Sequence, residues 1–483
     1  MTNLFSASSE DPIQVECFGR LFSSESARRE HFIQILREKL KDIDFRKTSG
    51  FPVGTDEDIL ALSDPPYYTA CPNPFIDEFT KYYGTNHDNS ILHNKEPFAV
   101  DVSEGKNDPV YLAHSYHTKV PHKAIMRYIL HYTQPGEVIF DGFCGTGMTG
   151  IAADLCGDKN VVQSLGYKVD ENGDIYSPEL VDTKTVWNKF SKLGKRHAIL
   201  NDLSPAATFI AHNYNTPGDS ELLKIEANRI LKEVEDECGW LYETKHTDGR
   251  IGRINYTVWS DVYVCSECTS EVVFWDVAVN RAASEVRDEF LCPHCSAMLS
   301  KRTMERAWTN VYDPDLKLTI KTLKHVPVLI NYSIGGRREE KRPDTADLEL
   351  ISRIEGMPIP YWIPTDEIIP GKEIGRLQSI GITHVNQIIP KRANWVLGAF
   401  LERCSNPKIK LAISASLLNL SWMYRWRANG KGGTTSGTYY ICATPQENNA
   451  FNQLTNKIDD LSNVICHAKN LTSTQDSSHF KIP

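Results

Sequence analysis

Residues 114–154 read HSYHTKVPHKAIMRYILHYTQPGEVIFDGFCGTGMTGIAAD, and their order decides the fold. Ile125, Ile129 and Leu130 recur at near-helical spacing until Gln134-Pro135-Gly136 stops the helix. Val138, Ile139 and Phe140 then form the short apolar run of a buried parallel strand, which ends on Asp141 and turns through Gly142, Gly145 and Gly147 into Thr149-Gly150-Ile151-Ala152-Ala153. Glycines at the carboxyl end of a strand let the backbone turn tightly and let a ligand approach with no Cβ in the way. Corners of this kind also occur with nothing bound, so the neighbouring text has to decide.

Two segments of this run resemble the amino-methyltransferases that modify the exocyclic nitrogen of adenine or cytosine in DNA. His117-Thr118-Lys119-Val120-Pro121 is similar to the family's motif X, one residue off the common spacing, and Asp141-Gly142-Phe143-Cys144-Gly145-Thr146-Gly147 is a close match to its motif I. The resemblance implies an α/β, Rossmann-like fold dependent on S-adenosylmethionine, with a mixed sheet flanked by helices. It also implies that Thr118, Lys119, Asp141, Phe143, Gly145 and Gly147 hold the cofactor.

Upstream, Ile59-Leu60-Ala61-Leu62 runs into Ser63-Asp64-Pro65-Pro66-Tyr67-Tyr68, which contains the DPPY tetrapeptide of the same family's catalytic motif IV. Transfer to an exocyclic amine needs acceptors for its two N–H groups, so that the nitrogen lone pair is free to turn toward the donor. By the family's geometry Asp64 accepts one hydrogen, the Pro65 carbonyl accepts the other, and Tyr67 stacks on a flipped base. Pro65 and Pro66 stiffen the loop, which is expected at a strand end. A plain loop turn gives the same four letters.

Residues 157–196 read as a polar insertion, after which His197-Ala198-Ile199-Leu200 recovers a strand ending in Asn201-Asp202. An acid at the end of the second strand accepts hydrogen bonds from ribose hydroxyls, and Asp202 fits that role, although it lies much further from the first strand than the usual ~20 positions. An Asp before a helix is also an N-cap, a part that Ser204 offers as well.

A third constellation is Cys265-x-x-Cys268 with Cys292-x-x-Cys295. Two such pairs in a reduced compartment specify a tetrahedral four-thiolate site, and a full protein ligand set leaves no open position, so the expectation is a structural Zn2+ in a ribbon. The text between the pairs alternates like a small hairpin. Arg281, Arg287, Lys301 and Arg302 are its candidate phosphate contacts, with plain solvation as the other reading.

The whole chain has 483 residues, 41% hydrophobic and 24% charged, with net charge -9. That balance argues against a wholly basic DNA-coating protein and leaves room for local basic surfaces. Met1–Gln14 lacks the basic and then apolar pattern of a signal peptide, so a cytoplasmic location is expected, with no membrane association. Four regions follow: 1–58, a helical segment in which Phe32, Ile35, Leu36 and Leu40 share a face; 59–220, the cofactor-binding core; 221–344, an insert with the ribbon at about 255–305; and 345–483. In the last, Leu411–Leu418 and Thr438–Ala443 are candidates for missing strands, and Trp422–Gly433 interleaves bases with aromatics as DNA contact would. Gly335–Pro343 reads as a charged hinge, and Asp476–Pro483 as an arbitrary stop, as in the front portion of a longer or split enzyme.

The resulting expectation is a site-specific DNA methyltransferase acting on adenine N6, in a restriction-modification setting. The resemblance implies that an Asp in motif IV favours adenine over cytosine N4, and Cys71 precedes Pro72 where carbon-5 chemistry needs a cysteine after proline. N4-cytosine or RNA as target, and a non-catalytic zinc-containing DNA-binding subunit of a split methylase, stand beside it. DNA is the expected partner, with a C-terminal partner chain or a restriction or defence nuclease as further candidates.

Overall fold

The structure is a computed structural model that describes residues 15–49, 51–84, 95–216, 218–430, 432–434 and 438–472; the N-terminal segment, Lys431 and Asp476–Pro483 discussed above lie outside these. The architecture is mixed α/β. It divides into two units, one formed by 1–112, 118–219 and 464–483, the other by 113–117 and 220–463. No helix among the described residues is long and apolar enough to cross a membrane.

In the first unit, helix Glu25–Lys39 starts where the Ser24 hydroxyl accepts from the Ala27 amide at 3.1 Å. Its buried stripe repeats every four residues, Arg28, Phe32, Leu36 and then Leu40 just beyond the helix, which leaves Ile35 at the margin and 41% exposed. Phe32 meets Phe18 and Phe75 edge-on in a core shared with Ile59, Leu60 and Phe79. The run expected to be a strand before the DPPY loop is instead a helix, Asp56–Leu62. Thr55 and Asp58 close a capping box at its start, and three acids fill its first turn, signals that outweigh four apolar letters.

The decisive stretch folds in the order its sequence requires. Helix His122–Tyr132 buries Met126, Ile129 and Leu130. Strand Val138–Asp141 follows, then helix Met148–Leu155, which packs Ala152 and Ala153 into the same core. The insertion is ordered structure: helix Lys159–Ser164 leads into an antiparallel sheet of Lys168–Val169, Asp174–Val181 and Lys184–Lys192. The chain then returns, and His197–Leu200 pairs in parallel with Val138–Asp141, Asp141 opposite Leu200. Among the described residues this parallel sheet has two strands, and the run expected to be buried is not, since with so few strands to cover it Val138 is 40% and Phe140 70% exposed.

The second unit is built on one long strand, Ile251–Val264, which pairs antiparallel with Glu243–Lys245, Glu271–Val273, Glu305–Arg306, His325–Ile334 and Gln446–Asn448. The Arg392 guanidinium and the Glu447 carboxylate, both almost fully buried, meet at 2.6 Å beside it. Trp259 donates its indole N–H to the same carboxylate at 2.8 Å. Three sequence expectations fail here. Leu411–Leu418 lies in helix Pro407–Leu420, whose Asn406 cap and Pro407 first residue specify a helix, and Thr438–Ala443 forms no strand. Neither segment therefore extends the parallel sheet. The supposed hinge is a tight hairpin: Gly335 and Gly336 take positive φ, and Arg337–Lys341 pairs with His325–Ile334.

Gly147 carries the clearest stability consequence. Its φ is +72°, and an added Cβ would lie 2.6 Å from Asn215 Nδ2 and 2.7 Å from Ala211 Cβ. Gly147→Ala is expected to destabilise the first unit by about 2–4 kcal/mol, from backbone strain plus overpacking. Urea unfolding measures this, and a change within about 0.5 kcal/mol, the usual surface range, would contradict the packing described.

Candidate active site

The parallel strand pair places two carboxylates side by side at its C-terminal end. Asp141 accepts the Thr149 hydroxyl at 2.6 Å on one oxygen and the Phe143 amide at 3.2 Å on the other. Asp202 accepts the Gly145 amide at 2.9 Å and the Ser204 amide at 2.9 Å. Asp202 therefore ties the glycine turn to the second strand, while Ser204 caps helix Pro205–Asn215. Each carboxylate oxygen has a second lone pair, so both acids keep capacity for an outside donor. The Thr146 hydroxyl, inside the turn, is buried and has no partner among the described residues. The glycines serve packing too, since Asn215 donates to the Gly147 carbonyl at 3.0 Å in the space a Cβ would fill.

A cavity of about 620 Å³ opens beside this corner and is mainly apolar, the size range of small-molecule sites. Tyr67, Tyr68 and Cys71 line it from the DPPY side, and Phe140, Cys144 and Asp202 from the strand ends. Tyr68 stacks on His212 with ring centroids 4.5 Å apart. Burial, reinforced by the Asp141 and Asp202 charges, pushes the Cys144 thiol up to about 12, and burial pushes Cys71 up to about 11. Both stay protonated at neutral pH and are poor nucleophiles.

The Asp64–Tyr68 loop is closed by two backbone bonds, Asp64 amide to Tyr68 carbonyl at 2.9 Å and the reverse at 3.0 Å. Asp64, Pro65 and Pro66 do not line the cavity; Tyr67 does. The acceptors expected to meet a target amine are both met by Arg28. Its Nη2 donates to Asp64 Oδ1 at 2.7 Å, its Nη1 to the Pro65 carbonyl at 2.6 Å, and its guanidinium carbon lies 4.6 Å from the Tyr67 ring centroid. Burial alone would lower the pKa of this guanidinium, but the bonds and charges of Glu25 and Asp64 outweigh it and hold the value above the ordinary one. Sequence reasoning missed Arg28. The available signal was an arginine in register with Phe32, Leu36 and Leu40, because a cation on a buried stripe requires partners.

The remaining site residues fall outside the cavity lining. Phe143 is 80% exposed, and neither it nor Asp141, Gly145 or Gly147 lines the cavity. Thr118 is exposed. Lys119 donates to the Tyr111 carbonyl at 2.8 Å and lies over the Tyr111 and Tyr214 rings.

In the second unit the four cysteines converge, their sulfurs all within 4.8 Å of one another. Both pairs use one knuckle. The Cys265 amide donates to Ser270 and the Thr269 amide to Cys265; likewise Cys292 to Ala297 and Ser296 to Cys292, with Thr269 and Ser296 both at positive φ. The Cys265–Cys295 and Cys268–Cys292 sulfur distances are 3.8 Å each. A tetrahedron with metal–sulfur bonds of about 2.3 Å has edges of about 3.8 Å, so the cluster fits one ion. Between the pairs lie helix Phe274–Ala278 and a short hairpin, Val279–Asn280 with Glu285–Val286. Of the bases proposed for phosphate, Arg281 pairs with Glu340, Arg287 lies 3.8 Å from Glu285 and Lys301 lies over Phe274, while Arg302 is exposed. The later aromatics are packed as well, Trp422 edge-on to Trp259 and Trp426 against Trp275.

Comparison with known families finds one match, to the DNA methylase family model, over residues 84–173. It covers the His117–Pro121 segment and the glycine corner, begins beyond Tyr67 and ends before Asp202. No curated protein and no solved structure matches the chain.

The cysteine geometry has a direct readout. Titration with Co2+ is expected to give one tetrahedral thiolate–cobalt absorption per chain, and Cys295→Ser is expected to weaken or abolish it. A spectrum of octahedral type, or one indifferent to that substitution, would contradict the assignment.

Proposed function

From the match of residues 84–173 to DNA methylases, we propose that this chain is a site-specific DNA methyltransferase that uses S-adenosylmethionine and acts on the N6 amine of adenine. The observation that carries the reading is the single cavity lined both by the DPPY tyrosines and by the end of the parallel strand pair. A mononucleotide-type cofactor belongs outside the carboxyl ends of parallel strands. The fit rests on Asp202, which lines the cavity and keeps free lone pairs, and on the buried Thr146 hydroxyl without a partner in the adjoining turn, outside the cavity lining. Asp202 would hold ribose hydroxyls, and the turn Asp141–Gly147 would hold the rest of the nucleoside, with Thr118 and Lys119 as the further contacts the resemblance implies. When bound, S-adenosylmethionine supplies an electrophilic methyl group.

The chain's own residues do the remaining work. Asp64 and the Pro65 carbonyl, which Arg28 holds in this structure and which stand outside the cavity lining next to Tyr67, are the acceptors assigned to the two amine hydrogens, an arrangement that leaves the nitrogen lone pair directed out of the base plane. Tyr67 stacks on the extruded base. No cysteine takes part, consistent with the protonated state of Cys71 and Cys144. The four-cysteine cluster holds a structural Zn2+ in a ribbon. DNA is the partner, and the cytoplasm the site of action, where such thiolates stay reduced. N4-cytosine is the second target in view, because both amines present the same two hydrogens. A non-catalytic subunit of a split methylase also has an observation in its favour, since Arg28 already satisfies the acceptors.

Calorimetry with S-adenosylmethionine followed by tritiated methyl transfer to unmethylated DNA tests this. Wild type is expected to bind and transfer, and Asp64→Ala to lose about 10²–10³-fold in rate while still binding cofactor. A melting curve is needed alongside, because that substitution also removes one of the three partners of the buried Arg28. Cofactor binding with no transfer by any form, or transfer unchanged by Asp64→Ala in a folded variant, would contradict the proposal.

A further inference from the structure

Arg28 meets the DPPY loop as a nucleobase amine would. A target amine presents paired N–H groups at the edge of a flat ring system, and needs two acceptors along that edge and an aromatic surface on the face. The guanidinium is also flat, with N–H groups on adjacent nitrogens. It finds the same set: Asp64 Oδ1 at 2.7 Å, the Pro65 carbonyl at 2.6 Å and the Tyr67 ring at 4.6 Å. Its side chain is fully buried, while Asp64 beside it is 23% exposed.

The surrounding charges suit a group that can leave. Glu25 is 61% exposed and binds Arg28 from the solvent side, accepting from Nε at 2.8 Å and from Nη2. Arg29, 45% exposed, donates to the Ser63 carbonyl at 2.8 Å and lies 3.8 Å from Asp64. Withdrawal of Arg28 would therefore leave Asp64 with a cation close by, and Glu25 is the charge that holds Arg28 in place until then.

We propose that Arg28 is an internal occupant of the base-amine niche, steadied by Glu25, and that a target base enters only by displacing it, so that helix Glu25–Lys39 controls access. This rests on the methyltransferase reading for the identity of the niche. A purely structural brace would make the same contacts but behave oppositely when removed: the loop would loosen and the niche would bind less.

Saturation-transfer NMR with adenosine as probe, in saturating S-adenosylhomocysteine so that the cofactor's own nucleoside site is filled, separates the two without turnover. Arg28→Ala is expected to bind adenosine on the order of tenfold more tightly than wild type, the value of a charge-assisted bond no longer competing. Glu25→Gln, which keeps an acceptor oxygen for Arg28 and removes only the charge at an exposed position, is expected to shift binding the same way by less, with a melting curve confirming that the variant is folded. Methylguanidine should compete with adenosine in Arg28→Ala. Equal or weaker adenosine binding in both variants, or methylguanidine that strengthens it, would overturn the proposal. Tritium transfer on the same samples keeps the two readings apart. Enhanced adenosine binding with no transfer by any form sinks the methyltransferase reading and leaves Arg28 as occupant; transfer lost in Arg28→Ala and restored by methylguanidine does the reverse.

Discussion

The first unit depends on the parallel pairing of Val138–Asp141 with His197–Leu200, because that pairing sets Asp141 and Asp202 beside one glycine turn. Each acid is anchored by a backbone amide and one further donor, so the turn is held from two strands at once. The Cys144 amide to the Asn201 carbonyl and the Asn201 amide to the Asp141 carbonyl, both 2.9 Å, continue the ladder past the strand ends. A corner fixed this way costs no ordering when a ligand arrives, which is what preorganised polar sites require. The long separation of the two strands in sequence is resolved by the insertion folding into its own antiparallel sheet and returning the chain.

Arg28 imposes the second constraint. Burying a guanidinium is tolerable only where its N–H groups are met, and Asp64, Glu25 and the Pro65 carbonyl meet them. Removing one partner from such a set typically costs about 3–5 kcal/mol, so the loop and helix Glu25–Lys39 are coupled whatever else they do.

Local signals carried the glycine corner, the Met148–Leu155 helix and the cysteine pairs, since each is specified by a few adjacent residues. Asp202 was readable as an acid after an apolar run, and its bond to Gly145 was not, because that contact exists only once distant strands pair. Ile59–Leu62 and Leu411–Leu418 were misread for one reason. Four to eight apolar letters suit either a strand or a buried helix, and the caps that arbitrate, Thr55 with Asp58 and Asn406 with Pro407, lie outside the runs themselves. The aromatics of Trp422–Trp426 have the composition of a nucleic-acid surface, but ring-on-ring packing against Trp259 and Trp275 is a tertiary fact. Arg28 was hidden in the same way, its partners 36 and 37 positions away.

That cofactor and target base share the cavity beside Tyr67 is tested most directly by fluorine NMR of chain carrying fluorotyrosine at Tyr67 and, in a second sample, fluorophenylalanine at Phe140, each titrated with S-adenosylhomocysteine. The two resonances are expected to shift in step and saturate at one concentration, while fluorotyrosine at Tyr332 in the second unit stays fixed. A shift at Phe140 with Tyr67 unmoved would place the cofactor away from the DPPY loop and contradict a shared site.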